Sequence, residues 1–313
     1  MIEVRRYSAE YQQEWDTFVA QSINSSFLFY RDYMEYHSDR FEDFSLMVYA
    51  KNKLISLVPA NLSTAGLISH QGLTFGALLL GHKYHYTHVL EMLNAILLFL
   101  KQDNIPSFKL KLQPYFYQQN LAQELSLVLF RNRIAFTTSL GTALYTKKFQ
   151  FPKRCVRSNK LRLYEKIFSE DLALFWKILE ENLLERHEAK PVHSLAEITQ
   201  LKTRFPDNIQ LLCLQNKENH RIEAGALLYL NSNNVKVQYF ASTEEGRKNR
   251  VSDVLYYTII ETYKDRYDFI DFGTCEKEAH QANIALLETK EKFGAHAFPI
   301  HTFTISTTLS LQA

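Results

Sequence analysis

Apolar and polar positions change their period along the chain in an order that occurs twice. Residues 2–7 alternate as a short strand, and Tyr11, Trp15, Phe18 and Val19 then share one face of a helix predicted over 10–19. A short helix is expected at 30–38. Residues 44–50, 53–62 and 65–70 are β-rich and punctuated by Lys51-Asn52 and Gly66, which predicts three consecutive antiparallel strands. Helical spacing returns at 86–101, a clean alternation at 107–113 marks a strand, 117–132 reads as a helix and 134–145 as a strand.

The second half follows the same order. A strand is predicted at 160–167, a helix capped by Ser169 runs to Leu184, and a short helix lies at 195–203. Strands at 209–215, 221–230 and 234–242 come next, with Asn219-His220 and 231–233 as turns. A helix at 251–264, a strand at 267–273, a helix at 281–290 and a strand at 296–306 complete it. Ser107 follows Trp15 by 92 residues, and Asp268 follows Trp176 by the same interval. Each Trp lies in the first long helix of its half, so the pattern reads as an internal duplication of an α/β (α+β) domain.

Composition narrows the classes. At 313 residues the chain has room for two domains, and 46% hydrophobic with 22% charged residues suffices for sizeable cores, which excludes disorder as the main state. A net charge of +2 is too small for a chain-wide field that gathers DNA or an anionic membrane. The basic charge is concentrated at 147–166, where eight Lys and Arg face Glu165 alone; this is either a site for phosphates, tRNA included, or a solvated connector. Cys155, Cys213 and Cys275 are odd in number and far apart, which suits a reducing compartment. The opening residues lack the order of a signal peptide and 89–100 is too short to cross a bilayer, so a cytoplasmic protein without membrane insertion is expected. His82, His85 and His88 are three residues apart but spread around a helix with no acidic or Cys partner, so no metal is expected.

The element order, with Trp15-x-x-Phe18, Phe27-Leu28-Phe29, Gln113-Pro114, Asp271-Phe272-Gly273 and Lys290-x-x-Phe293-Gly294, resembles the GCN5-related N-acetyltransferase (GNAT) fold in tandem. It is similar to the FemAB-like acyltransferases, including the Fem-type peptidyltransferases. The resemblance implies two GNAT-like domains, each a mixed, mostly antiparallel sheet flanked by helices: 1–152 on the acceptor side and 153–313 on the donor and catalytic side. It implies transfer of an acyl or aminoacyl group to an amine, carried by a sugar or a cell-envelope precursor, across an interdomain cleft. Such a donor is already activated, so positioning an amine and stabilising one oxyanion suffice without a metal or covalent nucleophile. Two rivals stand beside it: an aminoacyl-tRNA-dependent Fem-type peptidyltransferase and a GNAT-fold binding protein without catalysis.

The resemblance also assigns residues. Lys290 matches a family lysine that meets the reacting carbonyl, and the alternative is an exposed helix-end lysine. Glu276 is the candidate base for the amine proton, or a surface carboxylate, and Asn283 lies beside it as a substrate contact. Ser242, Gly246, Arg247, Lys248 and Arg250 stand where GNAT enzymes hold the pyrophosphate of acyl-CoA, although only one glycine is present; a solvated basic loop is the alternative. His70, Gly72 and Thr74 fall in the acceptor-binding segment or in a plain turn. Gln113 replaces an Asp that helps Fem-type enzymes hold a muropeptide. His187 and His193 are placed at the rim of the cleft, with helix capping as the alternative for His187.

Overall fold

The computed structural model describes residues 2–119, 122–151, 159–277 and 281–313. The chain divides into two units, Met1–Ser139 with Pro299–Ala313, and Leu140–Phe298. The boundary expected at 152/153 lies outside the described residues.

The first unit begins with β1 (Ile2–Arg6), α1 (Gln12–Gln21) and α2 (Arg31–Met34), followed by β2 (Leu46–Ala50), β3 (Lys53–Val58), β4 (Asn61–Ser63), β5 (Gly66–Ile68) and β6 (Leu79–Leu80). Then come α3 (Tyr86–Gln102), β7 (Ser107–Lys111), α4 (Glu124–Arg131) and the start of β8 (Phe136–Tyr145). Strands β1, β2, β3 and β6 form one antiparallel sheet in that order. The single strand expected at 53–62 is two strands in different sheets. Pro59, which has no N–H to donate, ends β3, and the Ala60 N–H turns to Ser45 Oγ at 3.2 Å before β4 begins. Helix α3 presents Val89, Leu93, Ile96, Leu97 and Leu100 to a core shared with Leu46, Val48, Phe108 and Leu110. The helix expected at 117–132 is shorter, because Pro114 opens a 3-10 turn at Tyr115–Tyr117 and only Glu124–Arg131 is α-helical.

The second unit contains β9 (Tyr164–Phe168), α5 (Leu172–His187), α6 (Leu195–Arg204), β10 (Ile209–Asn216), β11 (Ile222–Leu230), β12 (Asn234–Ser242), α7 (Glu244–Lys248), α8 (Val251–Tyr263), β13 (Phe269–Thr274) and α9 (Ile284–Glu291), and β14 (His296–Ser306) follows, its residues from Pro299 on belonging to the first unit. Its sheet runs β8-β13-β12-β11-β10-β9. Asp171, and not Ser169, caps α5: its carboxylate accepts from Leu174 N at 3.0 Å, while Ser169 Oγ accepts from Asp171 N. A capping box between Ser194 and Glu197 starts α6.

The duplication is visible in the pairing. Each unit holds a parallel strand pair, β5 with β7 in the first and β12 with β13 in the second. The last strand of each sequence half pairs inside the other unit. Residues 141–145 of β8 lie against β13, whereas residues 302–306 of β14 lie against β7. Trp15 and Trp176 are both buried in the first long helix of their unit.

Candidate functional site

The second unit's sheet opens in its middle. β12 and β13 pair at Asn234/Phe269, Val235/Ile270 and Lys236/Asp271 and then part, although β12 continues to Ser242 and β13 to Thr274. On its other side β12 stays paired with β11 but carries a bulge, since Leu227 faces Tyr239 while Leu228 faces Val237, leaving Gln238 as the extra residue. A bulge bends its strand and raises the local twist, which turns β12 away from β13. Val235, Val237, Ile270 and Phe272 pack into the core with α8, so alternation sends Lys236 and Asp271 to the opposite face at the point where the strands part.

Lys236 Nζ stands 3.8 Å from Asp271 Oδ2. Asp271 Oδ1 accepts from Gly273 N at 2.7 Å, folding the strand end at a glycine whose φ of +76° few side chains adopt. Lys290 reaches this end from α9. It is only 4% exposed, which removes the exposed helix-end alternative, and its ammonium donates to Thr274 O at 3.1 Å and Gly273 O at 3.4 Å. Burial pushes its pKa below the usual lysine value, against the pull of Cys275 and Asp271. The Cys275 thiol is buried and 3.7 Å from Thr142 Oγ1, whose hydroxyl donates to Gly273 O. Lys290 therefore sits at the opened strand end and supplies hydrogen bonds that a neighbouring strand would otherwise give.

Across the opening, the Tyr239 hydroxyl is 2.6 Å from His193 Nδ1 and accepts from His193 N at 3.2 Å, with the Trp176 ring edge-on at 5.2 Å. Burial raises this phenol to about 12, so it stays protonated at neutral pH. The side chain of His187 lies outside the described residues. Glu276 Oε1 accepts from Leu140 N at 3.1 Å, and the Asn283 carboxamide caps α9 by accepting from Leu286 N at 3.2 Å. Those two atoms hold backbone.

The loop after β12 differs from a pyrophosphate cradle in its charge. Thr243 caps the five-residue α7, its hydroxyl accepting from Gly246 N at 3.1 Å. Gly246 is required for packing, because a Cβ there would come within 2.7 Å of Glu223 O and 2.8 Å of Val251. Every cation of the loop faces a carboxylate: Arg247 with Glu185 at 2.6 Å, Lys248 with Glu244 at 2.7 Å, Arg250 with Asp253 at 2.8 Å. Arg247 also donates to Ser242 O at 2.8 Å. Glu244 and Glu245 in the first turn oppose a second anion at the helix start. Two of these pairs, Lys248–Glu244 and Arg250–Asp253, are largely exposed, whereas Arg247 is also tied to Ser242 O. In the basic stretch, Lys147 pairs with Asp268 and Lys160 donates to Asn249 O, while Lys153, Arg154 and Arg157 lie outside the described residues. Among the described residues no group of three or more His, Cys, Asp or Glu is placed to hold a metal.

In the first unit, His70 is buried in a left-handed backbone conformation (φ +42°), its ring stacked 4.8 Å from that of His37. Burial, with His37 and Arg31 nearby, pushes its pKa down to about 3. Gly72 lies against that stack: a Cβ there would fall 1.8 Å from His37 Nε2. Because His37 is also held by Phe41 at 5.1 Å, the ring has little room to move. Gly72→Ala is therefore expected to cost about 1–3 kcal/mol, read as a lower urea midpoint, and Gly72→Ala in a His37→Ala background much less. Equal losses in both backgrounds would refute the packing role. Thr74 is half-buried. Gln113 is 7% exposed, and neither amide atom has a hydrogen-bond partner among the described residues; with Asn24, Gln118, Gln123 and Ser126 it lines a cavity of about 30 Å³, room for a water.

The sequence reading missed Lys236, Tyr239 and Arg31. Lys236 had a signal, a lone lysine between Val235 and Val237 in a strand with both neighbours buried. Arg31 had only Glu35, four residues on, as a local signal: its buried guanidinium lies 3.8 Å over the Tyr7 ring and 3.2 Å from Glu35 and from Asp43, and Tyr7 and Asp43 reach it only on folding.

No family model matches the chain, and no curated protein matches it by sequence. Solved structures do match its fold. FemX is 14% identical with a TM-score of 0.64, each chain covered to 98%. L-PGS from Bacillus licheniformis is 10% identical with a TM-score of 0.59, over 96% of this chain and 93% of that one. A tandem GNAT protein from the clavulanic acid biosynthesis pathway, determined without AcCoA, is 9% identical with a TM-score of 0.51, over 98% and 99%. At such identities the likeness carries the fold alone, and that fold is the tandem GNAT fold.

Proposed function

We propose that the chain is an N-acyltransferase that moves an acyl or aminoacyl group from an activated donor to an amine, with the chemistry at the opening between β12 and β13. The observation that carries the reading is the end of pairing at Lys236/Asp271 beside the Gln238 bulge. Beyond Lys236 the β12 backbone no longer pairs with β13 and offers an edge to a planar carbonyl, and a donor held this way presents its carbon to an amine with little further rearrangement. The amine is carried by a small molecule or a cell-envelope precursor. The second unit serves as the donor and catalytic side and the first, with His70, Gly72, Thr74 and Gln113, as the acceptor side.

One observation favours an aminoacyl ester, as in the Fem-type reading, over acyl-CoA. A CoA pyrophosphate would have to displace Glu185, Glu244 and Asp253 from Arg247, Lys248 and Arg250. Acetyl-CoA is accordingly expected to leave the melting temperature unchanged, while charged tRNA raises it; a ligand at a hundredfold excess over Kd adds ~2.7 kcal/mol. A rise with acetyl-CoA and none with charged tRNA would reverse the choice of donor. No rise with either, and no transfer, would leave the fold as a binding module.

A further inference from the structure

We infer that Lys236 forms, with Asp271 as its internal counter-charge, a binding site for an acidic group, a carboxylate or a phosphate, on the molecule that occupies the strand opening. The inference rests on the N-acyltransferase reading only for the identity of that molecule as a substrate.

Lys236 is the last β12 residue paired with β13, and alternation turns it away from the apolar core beneath α8. Its side chain is 13% exposed, so most of the stem is desolvated while some of it still meets solvent. The one carboxylate described beside it, Asp271 Oδ2, is 3.8 Å away, too far for a hydrogen bond, and the other oxygen of that carboxylate is engaged by Gly273 N at 2.7 Å. Lys290, the second ammonium near this carboxylate, is turned onto the carbonyls of Gly273 and Thr274. Two lysines thus share one carboxylate in a largely buried setting, and the loosely held one stands at the mouth of the opening. An ammonium so placed gains from a ligand anion that can approach to hydrogen-bond distance, since charge-assisted bonds in partly desolvated sites are among the stronger polar contacts. Asp271 then acts as a placeholder that keeps Lys236 extended along the strand end until the anion arrives.

This arrangement makes two substitutions act in opposite directions. Lys236→Met keeps the length of the stem and removes the charge. Asp271→Asn keeps the oxygen that accepts from Gly273 N and removes the competing negative charge. Inorganic phosphate and acetate, titrated separately by calorimetry at low ionic strength, serve as probes that distinguish the two sources of the acidic group. At least one of them is expected to bind the wild-type protein, about tenfold or more weakly to Lys236→Met, with partial recovery in Lys236→Arg, and more tightly to Asp271→Asn. Binding of neither probe to the wild type, or equal binding to Lys236→Met, would overturn the inference. Should Lys236→Met fail to fold by circular dichroism, Asp271→Asn decides, because affinity unchanged or weakened there contradicts the placeholder role. The readout needs no turnover, so anion binding that persists in a protein without transfer activity would sink the transferase reading and leave this site standing.

Discussion

Lowering the pH from 6.5 toward 3 is expected to cost the first unit up to about 4–5 kcal/mol through His70 alone. The folded pKa of this imidazole is about 3 against 6.5 for the free side chain. Between those values the unfolded chain binds the proton and the folded chain does not, so stability falls as the pH drops through this window and is fully present above it. The cause is burial against His37, with the positive charge of Arg31 nearby. Urea midpoints measured across the window should fall for the wild type and much less for His70→Asn, since asparagine tolerates a φ of +42° and carries no titrating group. An equally steep fall in the variant would show that the acid sensitivity resides elsewhere.

The second large effect concerns Lys290. Lys290→Met should lower kcat by about 10²–10³ while costing roughly 1–3 kcal/mol of stability, because the charge at the opening and two hydrogen bonds to strand carbonyls are lost together. The two losses are separable. Lys290→Arg retains a donor for Gly273 O and Thr274 O and should recover stability more fully than turnover, because a planar guanidinium does not place its charge where the compact ammonium does. A folded Lys290→Met with wild-type turnover would remove this lysine from the site.

Periodicity made most of the fold legible. The strands at 234–242 and 296–306 match β12 and β14 residue for residue. Pro59 was readable as a strand breaker and was passed over inside an apolar run, which is why β3 and β4 merged in the sequence reading. The pairing of β8 with β13 and of β14 with β7 was not legible, because pairing partners far apart in sequence leave no local trace. At the site, Lys290 was placed by resemblance and its burial was not, since flanking Glu288 and Glu291 suggested an exposed face. The charge balance of the basic loop was only partly legible. Glu185 lies 62 residues before Arg247, so a count of local charge could not reveal the pairing.

The central claim is amide formation at the opening of the second unit's sheet. The most direct measurement incubates wild type and Lys290→Met with isotopically labelled charged tRNA, or with labelled acetyl-CoA, and a panel of amino sugars and amino acids, and counts label in amide-linked product by mass spectrometry. The account predicts labelled amide from the charged tRNA with wild type and about a hundredth or less of that with the variant. Equal product from both proteins, or none from the wild type with any donor, would contradict it.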